Sequence, residues 1–158
     1  MYTKRHDRIV DHLFEKLKVK LGNNECTIIT NTCIDTEQHQ HNNIPNKPDI
    51  FIRDEHNKKI FIIEVSTPFD CFIDLCFHEK FFKYTQLNNI MRDKGYNSKI
   101  IVIIVGALGT VHKKTAAGLK LLGFSNREIT TICKYISISS LIGSNIIWQK
   151  RARKIFLE

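Results

Sequence analysis

The chain contains no apolar run approaching the roughly 20 residues that a membrane-spanning helix requires, so no transmembrane segment is expected. Its first residues, MYTKRHDRIVDHLF, lack the apolar centre of a signal peptide. Tight cysteine pairing is missing as well. Cys26, Cys33, Cys71, Cys76 and Cys133 are odd in number, and their spacing suits reduced thiols in an intracellular, reducing environment better than a disulfide framework. A zinc site from Cys26, Cys33, His39 and His41 is conceivable, although the spacing matches no standard pattern. Internal repeats, linkers and low-complexity stretches are absent too. Acidic residues are scarce, 16 against 24 lysines and arginines, for a formal charge of +8. That balance points to a polyanionic partner, either nucleic acid or an anionic membrane surface.

What is present is ordinary globular composition. With 42% hydrophobic and 25% charged residues in 158, the expectation is one domain covering residues 1–158, large enough for its own core. In HDRIVDHLFEKLKVKLG, residues Ile9, Val10, Leu13, Phe14, Leu17 and Leu21 fall on one helical stripe, and Gly22 marks a stop. CTIITNTCI is β-branched and reads as a strand, and DTEQHQHNNIPN reads as an exposed loop. DIFI and KIFIIEV are strands of a hairpin around the polar turn RDEHNK. Residues 70 or 71 to about 94 are predicted to form one long helix. KIIVIIVG is an unbroken apolar strand, as found where both faces of a sheet are covered. Three further helices follow: HKKTAAGLKLLG, SNREITTICKYIS and SLIGSNIIWQKRARKIF. The order α-β-β-β-α-β-α-α-α predicts an α/β fold with a mixed sheet. The strand at 59–65 and the one near Val102 run parallel across a right-handed crossover.

Two carboxylates stand out. Counting outward from the RDEHNK turn brings Asp49 level with Glu64 on the neighbouring strand, at one end of the sheet. A carboxylate inside IFIIEV is costly unless neutralised or bound to a metal, and a pair of them suits a hard divalent cation. Asp54 and Glu55, at the turn, are expected in solvent. Lys80 falls on the apolar stripe of the next helix with Ile73, Cys76, Phe77, Tyr84, Leu87 and Met91. Either it snorkels to an edge or its ammonium reaches the Asp49/Glu64 pair. Glu15 is a further conceivable ligand, though a solvated helix face accounts for it more simply. WQKRARK gathers Lys150, Arg151, Arg153 and Lys154, and Lys113 with Lys114 open another helix. Such clusters contact phosphates without reading sequence, and a basic last turn also suits the helix dipole. Trp148 is expected in the core.

In order along the chain, KRHD, KPDI, IIEVSTPFD, HEKFFKY, VIIVGALG and IWQKRARK resemble the restriction-like endonuclease domain of site-specific non-LTR (LINE-type) retrotransposons, within the PD-(D/E)xK superfamily. The resemblance covers nearly the whole chain. It implies a restriction-endonuclease-like mixed sheet flanked by helices, and a domain that nicks target DNA so that the element's reverse transcriptase primes from the new 3′-hydroxyl. Under it Asp49 and Glu64 match the acidic pair, with glutamate where aspartate is common, and hold Mg²⁺, for which Mn²⁺ substitutes. Lys80 matches the catalytic lysine, Tyr84 the tyrosine one turn on, and His6 lies near the site in the RHD element. The lysine that the broad superfamily places two residues after the second acid is Ser66 here, while the retrotransposon branch carries it on the following helix. The expected partners are double-stranded DNA and the reverse transcriptase domain of the same polyprotein, in the nucleus. The zinc knuckle of that polyprotein is absent, which suggests an excised domain. Two alternatives stand beside this: a junction-resolving or repair nuclease of the same superfamily, and a catalytically silent DNA-binding module.

Overall fold

The structure is a computed structural model, and it describes residues 2–22, 26–34 and 45–155. Helix α1 spans Tyr2–Leu21, strand β1 Cys26–Thr30, β2 Ile50–Asp54 and β3 Lys59–Ser66. A 3₁₀ turn at Asp70–Phe72 leads into α2 (Ile73–Lys83) and α3 (Thr85–Asp93). Strand β4 (Asn97–Ile104), α4 (Lys113–Leu121) and α5 (Asn126–Ile155) complete the chain.

The four strands lie in the order β1-β2-β3-β4. β1 and β2 pair antiparallel, as do β2 and β3, and β4 joins β3 in parallel. This is the mixed sheet expected from one hairpin and one helical crossover. Alternation along the strands sends side chains to two separate layers. Ile63 and Val65 of β3 with Ile101 and Ile103 of β4 pack against Ile9, Leu13 and Leu17 of α1, Leu119 of α4, and Ile132 and Ile136 of α5. On the opposite face Ile60 and Ile62 pack against Tyr84 and, in α3, Leu87 and Met91, while Val102 and Ile104 receive Ile73 and Phe77 of α2. KIIVIIVG is apolar throughout because helices cover both faces. Each fully buried Ile or Leu contributes on the order of 1.5–3 kcal/mol.

Three elements depart from the sequence expectation. β1 stops at Thr30, short of Ile34, because Asn31 adopts a left-handed conformation (φ 49°) and its N–H donates to the Asp49 carbonyl. The long helix predicted over 70–94 breaks at Tyr84, whose φ of −101° and ψ of 5° end α2 and start α3. No proline or glycine causes this. Both helices lie against β4, with Ile73 and Phe77 of α2 on Val102 and Ile104 and with Leu87 and Met91 of α3 reaching over to Ile60 and Ile62 of β3. Conversely, the last two predicted helices are one. The serine-rich SISS of residues 137–140 suggests a boundary, since serine competes with helical backbone bonds. Here Ser137 and Ser140 donate across to the carbonyls of Gly109 and Gly106, both at 2.7 Å, and Ser144 donates to Ala107. The hydroxyls anchor α5 to the turn after β4, and the helix continues.

Candidate active site

The hairpin register pairs Ile50 with Ile63, so Asp49, one residue before β2, stands opposite Glu64. The level read from the sequence is the level observed. Glu64 is almost wholly buried, 3% exposed, and its two oxygens have different surroundings. Oε1 accepts from Lys80 Nζ at 2.7 Å and from Lys83 Nζ at 3.0 Å. Oε2 is buried with no hydrogen-bond partner among the described residues. A buried carboxylate oxygen left bare is costly.

Asp49 is held by its other neighbours. Its Oδ2 accepts the Val65 backbone N–H at 2.7 Å and faces His6 Nε2 at 3.2 Å. His6 Nε2 is also 3.2 Å from the Val65 carbonyl, and Nδ1 is 3.2 Å from Asp7. With acceptors around the ring, the imidazolium is favoured. The hydrogen bond to Asp49 outweighs burial and lifts the His6 pKa to about 9. Burial is the largest influence on Lys80 and works against its charge, but the bond to Glu64 and the Glu64 and Asp49 charges together more than offset it, and the net shift is upward. Asp49 Oδ1 receives no hydrogen bond from the described residues.

Lys80 thus reaches the acidic pair and does not snorkel away. Lys83 joins it, a residue that the sequence does not mark, because an exposed lysine at a helix end is ordinary. Its signal is the i,i+3 spacing from Lys80, which puts both on one face. Tyr84 is fully buried, and its hydroxyl donates to the Lys47 carbonyl at 2.8 Å. Burial foremost, then the charge of the Glu64 carboxylate and the closeness of the hydroxyl to it, push its pKa upward. Tyr84 therefore fixes the Lys47–Asp49 segment and does not present its hydroxyl to the cleft.

These groups line an open cleft of about 460 Å³, with Thr3, His6, Lys47, Asp49, Glu64 and Lys80 among its walls. Cationic groups outnumber the two carboxylates there, which suits an anion. Among the described residues no group of three or more His, Cys, Asp and Glu side chains forms a metal cluster. Two carboxylates nevertheless fit Mg²⁺, which takes one or two protein carboxylates and fills its remaining positions with water and phosphate oxygens. The bare Glu64 Oε2 and the uncommitted Asp49 Oδ1 are oxygens of the right chemistry.

The remaining candidates are scattered by comparison. Glu15 pairs with Lys18 on an exposed face, nine residues and about 13 Å along α1 from His6, and it does not line the cleft. Glu55 is exposed at the far turn, bonded to Tyr96 and Lys58, and Asp54 binds Asn57. Cys26 is half-buried and Cys33 exposed, while His39 and His41 lie outside the described residues. Lys113 and Lys114 are exposed at the sheet end that carries the cleft. His112, the cap of α4, bonds Ile104, which pairs with Ser66 in the cleft wall. Lys150, Arg151 and Arg153 are exposed on α5, and the Lys154 side chain lies outside the described set. Trp148 is not in the core. It is 68% exposed, lining a cavity with Phe69, Leu108 and Leu141.

No protein-family model matches the chain, and no curated protein matches it. The site therefore rests on its own geometry.

Proposed function

We propose that the chain is a metal-dependent DNA endonuclease with a restriction-endonuclease-like fold, one that nicks target DNA to prime reverse transcription. The observation that carries this reading is Glu64, buried and opposite Asp49, with two lysines on Oε1 and nothing on Oε2. The large majority of buried polar side-chain atoms have a hydrogen-bond partner, and Glu64 Oε2, unlike Oε1, has none among the described residues. The sequence resemblance to LINE-type endonuclease domains supplies the substrate, the reverse transcriptase partner and the nuclear setting.

Asp49 and Glu64 would hold Mg²⁺ or Mn²⁺, which, when bound, polarises the scissile phosphate and lowers the pKa of a bound water. Lys80 supplies positive charge beside that phosphate, where negative charge develops in the transition state. Lys83 shares with Lys80 the pairing of Glu64 Oε1. His6 and the Val65 N–H orient Asp49, and Tyr84 fixes the backbone that leads into it. The exposed Lys113 and Lys114 at this end of the sheet, together with Lys150, Arg151, Arg153 and Lys154 of α5, would supply affinity for the DNA backbone.

Nicking of supercoiled plasmid tests the reading. Mg²⁺ and Mn²⁺ should support it, while Ca²⁺, with looser coordination, should permit binding and little turnover. Binding without nicking in any divalent ion would instead identify a silent DNA-binding module. Preference for branched over linear substrates would identify a junction-resolving enzyme.

A further inference from the structure

The residues that lead into β2, NKPD at 46–49, belong to neither helix nor strand, yet their backbone is tied down along its length. Asn46 exchanges bonds with Ile34. Its carbonyl accepts the Ile34 N–H at 2.8 Å, and its side chain donates back to the Ile34 carbonyl at 3.2 Å. The Lys47 carbonyl accepts the hydroxyl of the fully buried Tyr84 at 2.8 Å. Pro48 is buried. Its ring fixes its own φ and keeps the lysine before it out of the helical region. The Asp49 carbonyl accepts the Asn31 N–H at 3.1 Å.

From this clamped backbone the Lys47 side chain stands exposed in the wall of the carboxylate cleft. The other cations there are committed. Lys80 and Lys83 both sit on Glu64 Oε1, and His6 lies against Asp49 and the Val65 carbonyl. Lys47 Nζ makes no hydrogen bond or ion pair with the described residues. A lysine on a mobile loop loses both backbone and rotamer freedom when it binds. Here the backbone is already ordered, so less entropy is lost on meeting a ligand. A free ammonium beside carboxylates that already have cations suits an anion from outside, and lysine meets phosphate as a point charge.

We propose that Lys47 binds the phosphodiester next to the scissile one, on the DNA strand that enters the carboxylate cleft. The inference rests on the cleft being a phosphodiester site. It goes further in dividing the lysines: Lys80 acts at the reacting phosphate, while Lys47 anchors its neighbour. That contact is equal in the ground and transition states, so it sets KM and leaves kcat alone.

Binding of a DNA duplex to the full chain is measured in EDTA, where no cutting occurs, over a series of salt concentrations. Lys47→Ala, a change at an exposed position, should weaken binding about tenfold and reduce the log–log salt slope by about 0.9. Lys47→Arg keeps the charge in place and should restore both. Lys120→Ala is the control for net charge. It lowers the formal charge of +8 by the same single unit, at an exposed position of α4 outside the cleft and about 10 Å along the helix from Lys113. It should leave affinity and slope unchanged. In Mg²⁺, nicking by Lys47→Ala should show KM raised about tenfold with kcat within about twofold.

Unchanged affinity and slope in Lys47→Ala would overturn the proposal, as would equal losses in Lys120→Ala. So would a fall in kcat at constant KM, which would put the ammonium on the reacting group. The two readings fail separately. A reduced slope in EDTA without Mg²⁺-dependent nicking keeps Lys47 as a phosphate anchor and removes the nuclease. Nicking with KM and slope untouched by Lys47→Ala does the reverse.

Discussion

Lys80 and Lys83 place their ammonium groups 2.7 and 3.0 Å from the same oxygen of Glu64. Both cations sit on one oxygen of a buried carboxylate, and the other oxygen is buried with no hydrogen-bond partner among the described residues. The arrangement separates a structural job, pairing the buried Glu64 carboxylate, from a chemical one, placing charge near the substrate.

That separation gives the first prediction. Lys80→Ala should lower the nicking rate by about 10²-fold, the scale of a missing transition-state donor, while Tm changes little because Lys83 still pairs Glu64. Lys80→Ala with Lys83→Ala should be less stable than the sum of the single changes, since Glu64 is then buried with no cation. Adding Glu64→Gln to the pair should recover stability. Denaturant melts of the four variants measure this, and strictly additive losses would show that the lysines do not share Glu64.

Tyr84 separates ring from hydroxyl. Tyr84→Phe keeps the buried ring and deletes the bond to Lys47, so it should cost about 1 kcal/mol. Tyr84→Ala should cost about 3–5 kcal/mol, as other buried aromatics do. A Tyr84→Phe protein of unchanged stability whose nicking is abolished would mean that the hydroxyl meets substrate.

How far the sequence reveals the fold and the site depends on how local each signal is. Asp49 opposite Glu64 follows from counting in a hairpin, which depends only on the turn between them. Lys80 is legible because a lysine interrupts an apolar stripe. The break at Tyr84 is not, since it answers to where β2, β3 and β4 put their apolar patches. The unbroken α5 is hidden for a similar reason. Ser137 and Ser140 look like helix breakers until the carbonyls of Gly109 and Gly106 are brought beside them. Trp148 misleads in the opposite sense, because hydrophobicity alone does not decide whether a helix side chain is buried.

The start of α5 carries a capping box, in which the Glu128 N–H donates to Ser125 Oγ and the Ser125 N–H to Glu128 at 2.7 Å. Ser125→Ala should cost about 1 kcal/mol. The Ser125 N–H foremost, then its hydroxyl and Lys20, hold the Glu128 pKa down to about 2. A depressed carboxylate stabilises the fold above its unfolded pKa and loses that contribution as pH falls through the folded value. Glu128→Gln should therefore flatten the loss of stability between about pH 4.5 and 2. The group is exposed, so the change in slope should be small. Acid melts of the two proteins compare them, and parallel curves would remove Glu128 from the cap.

Neutralising Lys150, Arg151, Arg153 and Lys154 together should weaken binding to every DNA sequence. Each phosphate that no longer meets a cation should reduce the log–log salt slope by about 0.9. An unchanged slope would assign these residues to the helix terminus alone.

The nuclease reading stands or falls on the bare Glu64 Oε2 being a metal ligand, and Glu64→Gln addresses that atom directly. The substitution keeps an Oε1 acceptor for the lysines and puts an amide where the cation would sit. Mn²⁺ binding by calorimetry and plasmid nicking, measured on folded Glu64→Gln protein and on the unsubstituted chain, should show both abolished together in the variant, with nicking down about 10²-fold or more. Equal Mn²⁺ affinity and equal nicking by the two proteins would contradict the account.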